Sequence, residues 1–261
     1  MHDDRGTAGH GNVDPGAYQL LRQAVDAWEE LDARRTRLPG NPLPGSLWAA
    51  DLARAPLPGP YARIYAGTSI HSALDHLMAW RQIVWSGLIP VLAHWVLART
   101  IVECAERTLW LIDPSIATSD RVARGIAARL EDQEERRKFE RLQTAEDLRA
   151  RRPETFRTAE ERKVEIKAKA VADGIPVIGY KDNTALLRDA GLEWLYRLAS
   201  GYAHGFEWNS VGSTMVPVPG VSGPGMAGGI MSANDDILAG VAAIAESRAR
   251  RAVEALERYH R

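Results

Sequence analysis

One cysteine, Cys104, stands in a chain of 261 residues. That scarcity excludes an internal disulfide framework and a cysteine-based zinc site, and it leads us to expect a reducing, cytoplasmic setting. Net charge is also lacking: 33 basic residues oppose 34 acidic ones, for a formal charge of −1. Long-range electrostatics therefore recruits neither nucleic acid nor an anionic membrane, and any such binding needs a local patch. No apolar run has membrane-spanning length; the best, Ile89 to Ala98, runs straight into Arg99. Met1 to Gly16 is polar and Gly-rich without an apolar h-region, so no secretory signal is expected. There is no Gly-rich phosphate loop, no Gly-x-Ser-x-Gly and no dinucleotide fingerprint, so no cofactor is expected. What the chain does have is 45% hydrophobic and 26% charged residues, with eight tryptophans against three phenylalanines. Those values fit a globular protein with a substantial core packed by large indole rings.

Apolar periodicity reads as all-α: an antiparallel helical bundle carrying a long charged helical hairpin. Residues 1–14 read as a disordered tail and 15–261 as a single helical domain. Leu20, Leu21, Val25, Trp28 and Leu31 recur at helical spacing from Pro15 to about Leu38. Pro39 to Pro60 holds six of the fourteen prolines and reads as an irregular connection. Thr68 or Ser69 is the expected N-cap of the next helix, ending near Ser86. Pro90 to about Ile112 is apolar nearly all round, the mark of a buried helix. It nevertheless carries Arg99 and Glu103, four residues apart. An ion pair there is either a satisfied structural pair or has a task of its own.

From Asp120 to Lys169 there are 15 basic and 12 acidic residues. The alternating charge over 120–172 predicts a solvated helical hairpin, or an arm in an oligomer, broken near Pro153. Asp173-Gly-Ile-Pro176 predicts a turn. Asp182 or Asn183 is the expected cap of one helix running to about His204. Gly205 to Ser232 reads as a flexible Gly/Pro/Met loop, and Ser232 or Asn234 as the cap of a C-terminal helix with Ile237, Val241, Ile244, Arg248, Ala252 and Leu256 on one stripe. No strand is predicted, Ile175 to Tyr180 being the one short candidate.

The chemistry concentrates in Trp194-Leu-Tyr-Arg197-Leu-Ala-Ser200-Gly-Tyr-Ala-His204-Gly205. At about 100° per residue, Glu193, Arg197, Ser200 and His204 share one face. Leu187, Leu195, Leu198 and Tyr202 take the opposite, core-facing side. A cation, a hydroxyl and an imidazole on one helix face form a candidate catalytic or anion-binding site. A structural reading stands beside it. Arg197 pairs with Glu193 at i,i+4, and His204 closes the helix before Gly205, favourably placed against the dipole.

The Arg-x6-His spacing of Arg197 and His204 on a late helix resembles the HEPN superfamily. The wider layout is similar to a group of actinobacterial all-helical proteins related to its abortive-infection members. It consists of His71, Asp75, His76 and Leu77; then Arg99 and Glu103 followed by Leu109-Trp-Leu111; then Tyr196 to Gly205. The similarity covers about residues 67–212. It implies a homodimer with motif helices facing each other and metal-independent cleavage of RNA. Under it, His204 is general base or acid on a ribose hydroxyl, Arg197 stabilises the pentavalent phosphate and Ser200 donates to a phosphate oxygen. Glu193, Arg99, Glu103, His71 and Asp75 become binding or supporting residues. Nuclease members carry a polar residue after the motif Arg, where this chain has Leu198.

Two further expectations complete the reading. One is a non-catalytic HEPN-like scaffold binding a nucleotide, ligand or partner on the same face. The other is a metal-binding bundle built on His71 and Asp75, one turn apart, with His94 from the next helix. His76 points about 140° from His71 and cannot join them. The one Glu-x-x-His pair, Glu257 with His260, falls short of the two such motifs that a ferritin-like site needs. No metal site is assigned.

Overall fold

The computed structural model describes residues 14–54, 61–87, 92–142, 146–204, 215–217, 229–231 and 235–261. Among these the helices are α1 (Pro15–Thr36), α2 (Leu47–Arg54), α3 (Tyr61–Trp85), α4 (Ala93–Leu111), α5 (Thr118–Leu142), α6 (Glu146–Ala172), α7 (Asn183–Asp189), α8 (Glu193–Ala203) and α9 (Asp235–His260). The fold class is all-α. The expected absence of strands is corrected by one short antiparallel pair, Met215–Pro217 with Gly229–Met231, with Val216 opposite Ile230. It falls within the predicted 205–232 loop, the rest of which lies outside the described residues, as do the tail over 1–13 and the expected caps Ser232 and Asn234. The candidate strand over 175–180 has no regular structure.

The sequence reading counts one domain over 15–261; by contact the chain falls into two compact units. The first comprises 1–32, 72–103 and 187–250, the second 33–71, 104–186 and 251–261.

In the first unit, Asp14 caps α1: its carboxylate accepts from the Ala17 N–H at 2.8 Å, so it belongs to the helix start and not to the tail. Leu21 and Val25 of α1, Leu74, Leu77 and Trp80 of α3, and Ala98, Ile101 and Val102 of α4 are buried. So are Leu195, Ala199 and Tyr202 of α8, which recur at spacings of four and three, the stripe that seats a helix on a core. The Tyr202 ring stacks on Trp95 of α4, centroids 4.5 Å apart.

One continuous helix from Asn183 to His204 was expected; the chain instead turns between α7 and α8. Gly191 takes a left-handed φ of 72°. The Leu192 N–H donates to the Leu187 carbonyl at 2.7 Å and the Gly191 N–H to Arg188 at 3.0 Å. These two bonds form a Schellman stop, which glycine adopts without a Cβ penalty. The expected cap at Asp182 is present, accepting from the Ala185 N–H at 2.8 Å.

In the second unit, α5 and α6 pair over Val122, Ala123, Ile126, Ile166, Ala170 and Ile175. Gly174 closes α6 with a second Schellman stop, Ile175 N–H to the Ala170 carbonyl at 2.8 Å, and buried Ile175 is its apolar latch. Three expectations are corrected here. α5 ends at Leu142 and α6 begins at Glu146, and Pro153, expected near the break, lies inside α6, where it removes one N–H without ending the helix. The Thr68 hydroxyl donates back to the Ile64 carbonyl at 3.0 Å, so Thr68 sits mid-helix and α3 begins at Tyr61. The Pro-rich connection contains a true helix, α2, capped by Ser46, whose Oγ accepts from the Ala49 N–H at 3.1 Å. Gly125 lets α5 approach α3 closely: a Cβ there would lie 2.4 Å from the Ala62 nitrogen. Among the described residues no helix is long and apolar enough to cross a membrane.

Candidate functional site

The first unit places α4 and α8 side by side, and Arg99 joins them. Its Nε donates to Glu103 Oε1 at 2.5 Å, one turn along α4. Its Nη1 donates to Ser200 Oγ at 2.8 Å and its Nη2 to the Tyr196 hydroxyl at 3.4 Å, both on α8. The guanidinium also lies over the Tyr196 ring, 4.5 Å from the centroid. A planar cation fits this role because its fork donates in several directions while its face stacks on an aromatic ring. The sequence placed Arg99 and Glu103 on a buried line. They are in fact half-sheltered, with side-chain exposures of 24% and 14%, at the margin of the apolar surface.

Ser200 accepts from Arg99, which commits one lone pair of its oxygen and leaves its O–H to donate elsewhere. Ser200 and Tyr196 are four residues apart and share the side of α8 that meets Arg99. Arg197, one residue on from Tyr196, stands at the outer side. Its side chain is 66% exposed, and its Nη2 donates to Glu193 Oε1 at 2.6 Å, the i,i+4 pair the wheel predicts.

Glu193 has a second cation that the sequence reading missed. Arg188 Nε donates to Glu193 Oε2 at 2.7 Å. On one continuous helix, Arg188 would lie half a turn away from Arg197, nine residues on. The Gly191 turn brings it round to the carboxylate. The signal was Asp-Ala-Gly191-Leu, a glycine stop followed by a fresh acidic first turn. The Arg188 hydrogen bond first, then that of Arg197, holds the Glu193 carboxyl down to about 2.

His204 is exposed immediately after α8, its backbone N–H donating to the Ser200 carbonyl at 3.0 Å. Arg197 and His204 are two turns apart, about 10 Å along the axis at 1.5 Å per residue. Arg197, Ser200, Glu193, Arg99 and Glu103 are therefore drawn into one connected surface through Tyr196 and α8, with His204 at its end. His71, in the second unit, and Asp75, in the first, are exposed on α3. Among the described residues no group of three His, Cys, Asp or Glu side chains is placed to hold a metal ion.

Of the remaining histidines that invited a ligand reading, His94 and His260 are built into the interior and His76 is half-buried. His94 is fully buried in the first unit, its ring tilted against Trp80 at 5.8 Å, and among the described residues neither ring nitrogen has a hydrogen-bond partner. Burial pulls its pKa down to about 4, so it is neutral. His76 Nδ1 donates to the Ser72 carbonyl at 2.8 Å. In the second unit, His260 Nε2 accepts from Arg63 Nε at 2.7 Å beside Trp48, and Glu257 is held bidentately by Arg34.

Compared with family models, with curated proteins and with solved structures, the chain matches none.

Proposed function

We propose that the protein is a HEPN-like helical homodimer whose α8 face engages RNA and cleaves it without a metal. The observation that carries this reading is the division of labour along one helix. Arg197 and His204 stand exposed, while the Ser200 between them is fixed from the core side by Arg99. In the reaction, His204 takes the proton of a ribose 2′-hydroxyl as its oxygen attacks the adjacent phosphorus. Arg197 stabilises the charge of the pentavalent phosphate, and the 5′-oxygen leaves with a proton from a general acid. The products are a 2′,3′-cyclic phosphate and a 5′-hydroxyl end. Ser200, accepting from Arg99, donates its hydroxyl proton to a phosphate oxygen. A second protomer supplies the second Arg/His pair around the same phosphate.

The test is incubation of labelled single-stranded RNA with the full chain in EDTA. We expect cyclic-phosphate ends from the wild type and none from His204→Ala or Arg197→Ala. Light scattering should give a dimer mass. Intact RNA in the presence of folded dimeric wild type overturns cleavage.

One observation favours a second reading, a HEPN-like scaffold that binds a nucleotide or RNA phosphate without turnover. Glu193 already neutralises part of Arg197, and Leu198 stands where a polar residue would help orient the site. This reading expects thermal stabilisation by nucleotide or RNA with no product; a melting temperature unmoved by either ligand removes it.

A further inference from the structure

We propose that Trp194 is a stacking subsite for one unpaired base of single-stranded RNA, with Arg197 beside it for the attached phosphate. This rests on the reading of α8 as an RNA-engaging face and adds to it a requirement for unpaired bases.

Tryptophan is highly buried on average, so a half-exposed indole needs a reason. Trp194 is 50% exposed. Among the described residues its ring meets no aromatic or cationic neighbour and its indole N–H has no hydrogen-bond partner. Trp85, exposed to the same degree, shows the contrast. The Trp85 N–H donates to Asp26 at 2.6 Å and the Arg22 guanidinium covers its ring at 3.7 Å, so that ring is already in use.

Trp194 precedes Arg197 by three residues, so the two side chains leave α8 about 5–6 Å apart on neighbouring lines. Glu193 then presents the cation. It is 25% exposed, accepting from below Arg197 at 66% and Arg188 at 59%. The carboxylate thus sits beneath two outward guanidiniums. Arg197 spends Nε and Nη2 on Glu193, and its Nη1 keeps two hydrogens for a ligand oxygen. Beyond Glu193, Asp189, exposed at the end of α7, is the next opposing charge in sequence. An aromatic face with a fixed guanidinium one helical step away matches the repeat of single-stranded nucleic acid, a base and then its phosphate. A duplex keeps its bases stacked on each other and offers Trp194 no face.

The test uses the full chain and a fluorescent 2′-O-methyl oligouridine, which lacks the attacking hydroxyl and so reports binding apart from cleavage. Anisotropy should show Trp194→Ala binding roughly tenfold more weakly, the weight of one stacked base, with Trp194→Phe retaining most of the affinity. Binding to a duplex of the same length should be equal for all three. Equal single-strand affinity in wild type and Trp194→Ala overturns the proposal. So does a halved solution mass of Trp194→Ala without loss of RNA affinity per protomer, which would assign the indole to a contact between copies. Trp194-dependent binding with no cleavage of ordinary RNA sinks the nuclease reading and leaves the subsite standing. A wild type that binds no single strand overturns both.

Discussion

Two arginine networks, one in each unit, use the same parts to opposite ends. In the second unit, Arg121 Nε donates to Asp51 at 3.0 Å and its Nη2 lies 2.9 Å from the same carboxylate. Its Nη1 donates to the Ile116 carbonyl, its Nη2 to Thr118 Oγ1, and the Tyr259 hydroxyl closes the other side of Asp51 at 2.9 Å. Arg121 and Asp51 are 2% and 1% exposed. In the first unit, Arg99 likewise holds a carboxylate and reaches a tyrosine, yet its pair stands at the margin of the core and it ends on a serine whose hydroxyl proton has no acceptor among the described residues. The sealed network spends its donors internally and so acts as a fastening. The open one leaves capacity at its edge, which is what a site that meets a ligand requires.

The largest effect should come from the sealed network. Asp51→Ala leaves the Arg121 guanidinium buried without its anion, which costs about 3–5 kcal/mol. For a chain of this size that is a fall in Tm of roughly 10 °C. Burial pushes the Asp51 carboxyl up, against the Arg121 and Tyr259 hydrogen bonds, so the charge is expensive even when paired. Thermal melts of Asp51→Ala and of Asp51→Ala with Arg121→Met test the comparison. The double variant should recover much of the loss, because removing both charges removes the uncompensated one. A single variant as stable as the wild type would place this network among ornamental surface pairs.

Next in size is a dependence on acid. His94 and His260 are each depressed to about 4, with burial the first cause, against an ordinary 6.5. Between those values the unfolded chain binds the protons and the folded chain does not, so stability is complete above about pH 6.5 and falls as pH drops through 4. At 1.36 kcal/mol per unit, each accounts for up to ~3 kcal/mol. The two should part company on substitution. His94→Phe removes two partnerless buried nitrogens and should flatten the first unit's share of the pH slope while holding or raising stability at pH 7. His260→Phe removes the acceptor of Arg63 and should destabilise at every pH. Urea midpoints at pH 7 and pH 5 separate these outcomes.

Much of this was legible along the chain, and the losses have a common cause. The i,i+4 pairs Arg99–Glu103 and Glu193–Arg197 stand where helical period puts them, but the apolar stripes hold only in part: Leu20 of α1, Val96 of α4 and Ile237 of α9 are 59%, 42% and 39% exposed, and the buried face of α9 runs through Leu238, Val241, Ala245, Ala249, Ala252 and Leu256. The Gly191 stop was written in the sequence, but a helix pattern passes smoothly through it because Leu187 and Leu195 are both buried on either side. Missing that turn hid Arg188. α2 was masked by the prolines around it, though Gly-Ser46-Leu-Trp is a cap before an apolar turn. Asp51, Arg121 and Tyr259 lie 70 and 208 residues apart in the pairs they form, and no local pattern joins them. The charged hairpin is visible as charge, but Pro153 misleads about its break: a proline costs a helix one hydrogen bond, and α6 tolerates that cost.

Arg99→Met tests the open network at intermediate size. It deletes the bonds to Glu103 and Ser200 while keeping the stem that packs on Tyr196. Half-exposed hydrogen bonds of this kind contribute about 1 kcal/mol each, so a loss of about 1–2 kcal/mol is expected, well under that of Asp51→Ala. Under the proposed function, cleavage or RNA affinity should fall further than stability does, because Ser200 loses the donor that fixes its hydroxyl. Arg99→Lys, which keeps charge but not the fork, should recover stability better than activity. Equal loss in both readouts would make Arg99 a fastening like Arg121.

The smallest change in stability belongs to Glu193→Gln, and it discriminates most finely between a pair that holds α8 and one that presents Arg197. The carboxylate sits between two exposed guanidiniums, in a setting where ion pairs contribute little to folding. The melting temperature at pH 7 should stay within error of the wild type. Its effect should appear in ligand affinity, where two opposing terms meet. Removing the anion frees Arg197 from a competitor for phosphate, and it also releases the guanidinium from the position beside Trp194. Phosphate is bound through charge alone, so inorganic polyphosphate should bind more tightly to Glu193→Gln. On the proposed subsite single-stranded RNA needs base and phosphate together, so its affinity should rise less or fall. An equal gain for both ligands would show that Glu193 only screens Arg197, and that the geometry of the Trp194–Arg197 pair adds nothing to recognition.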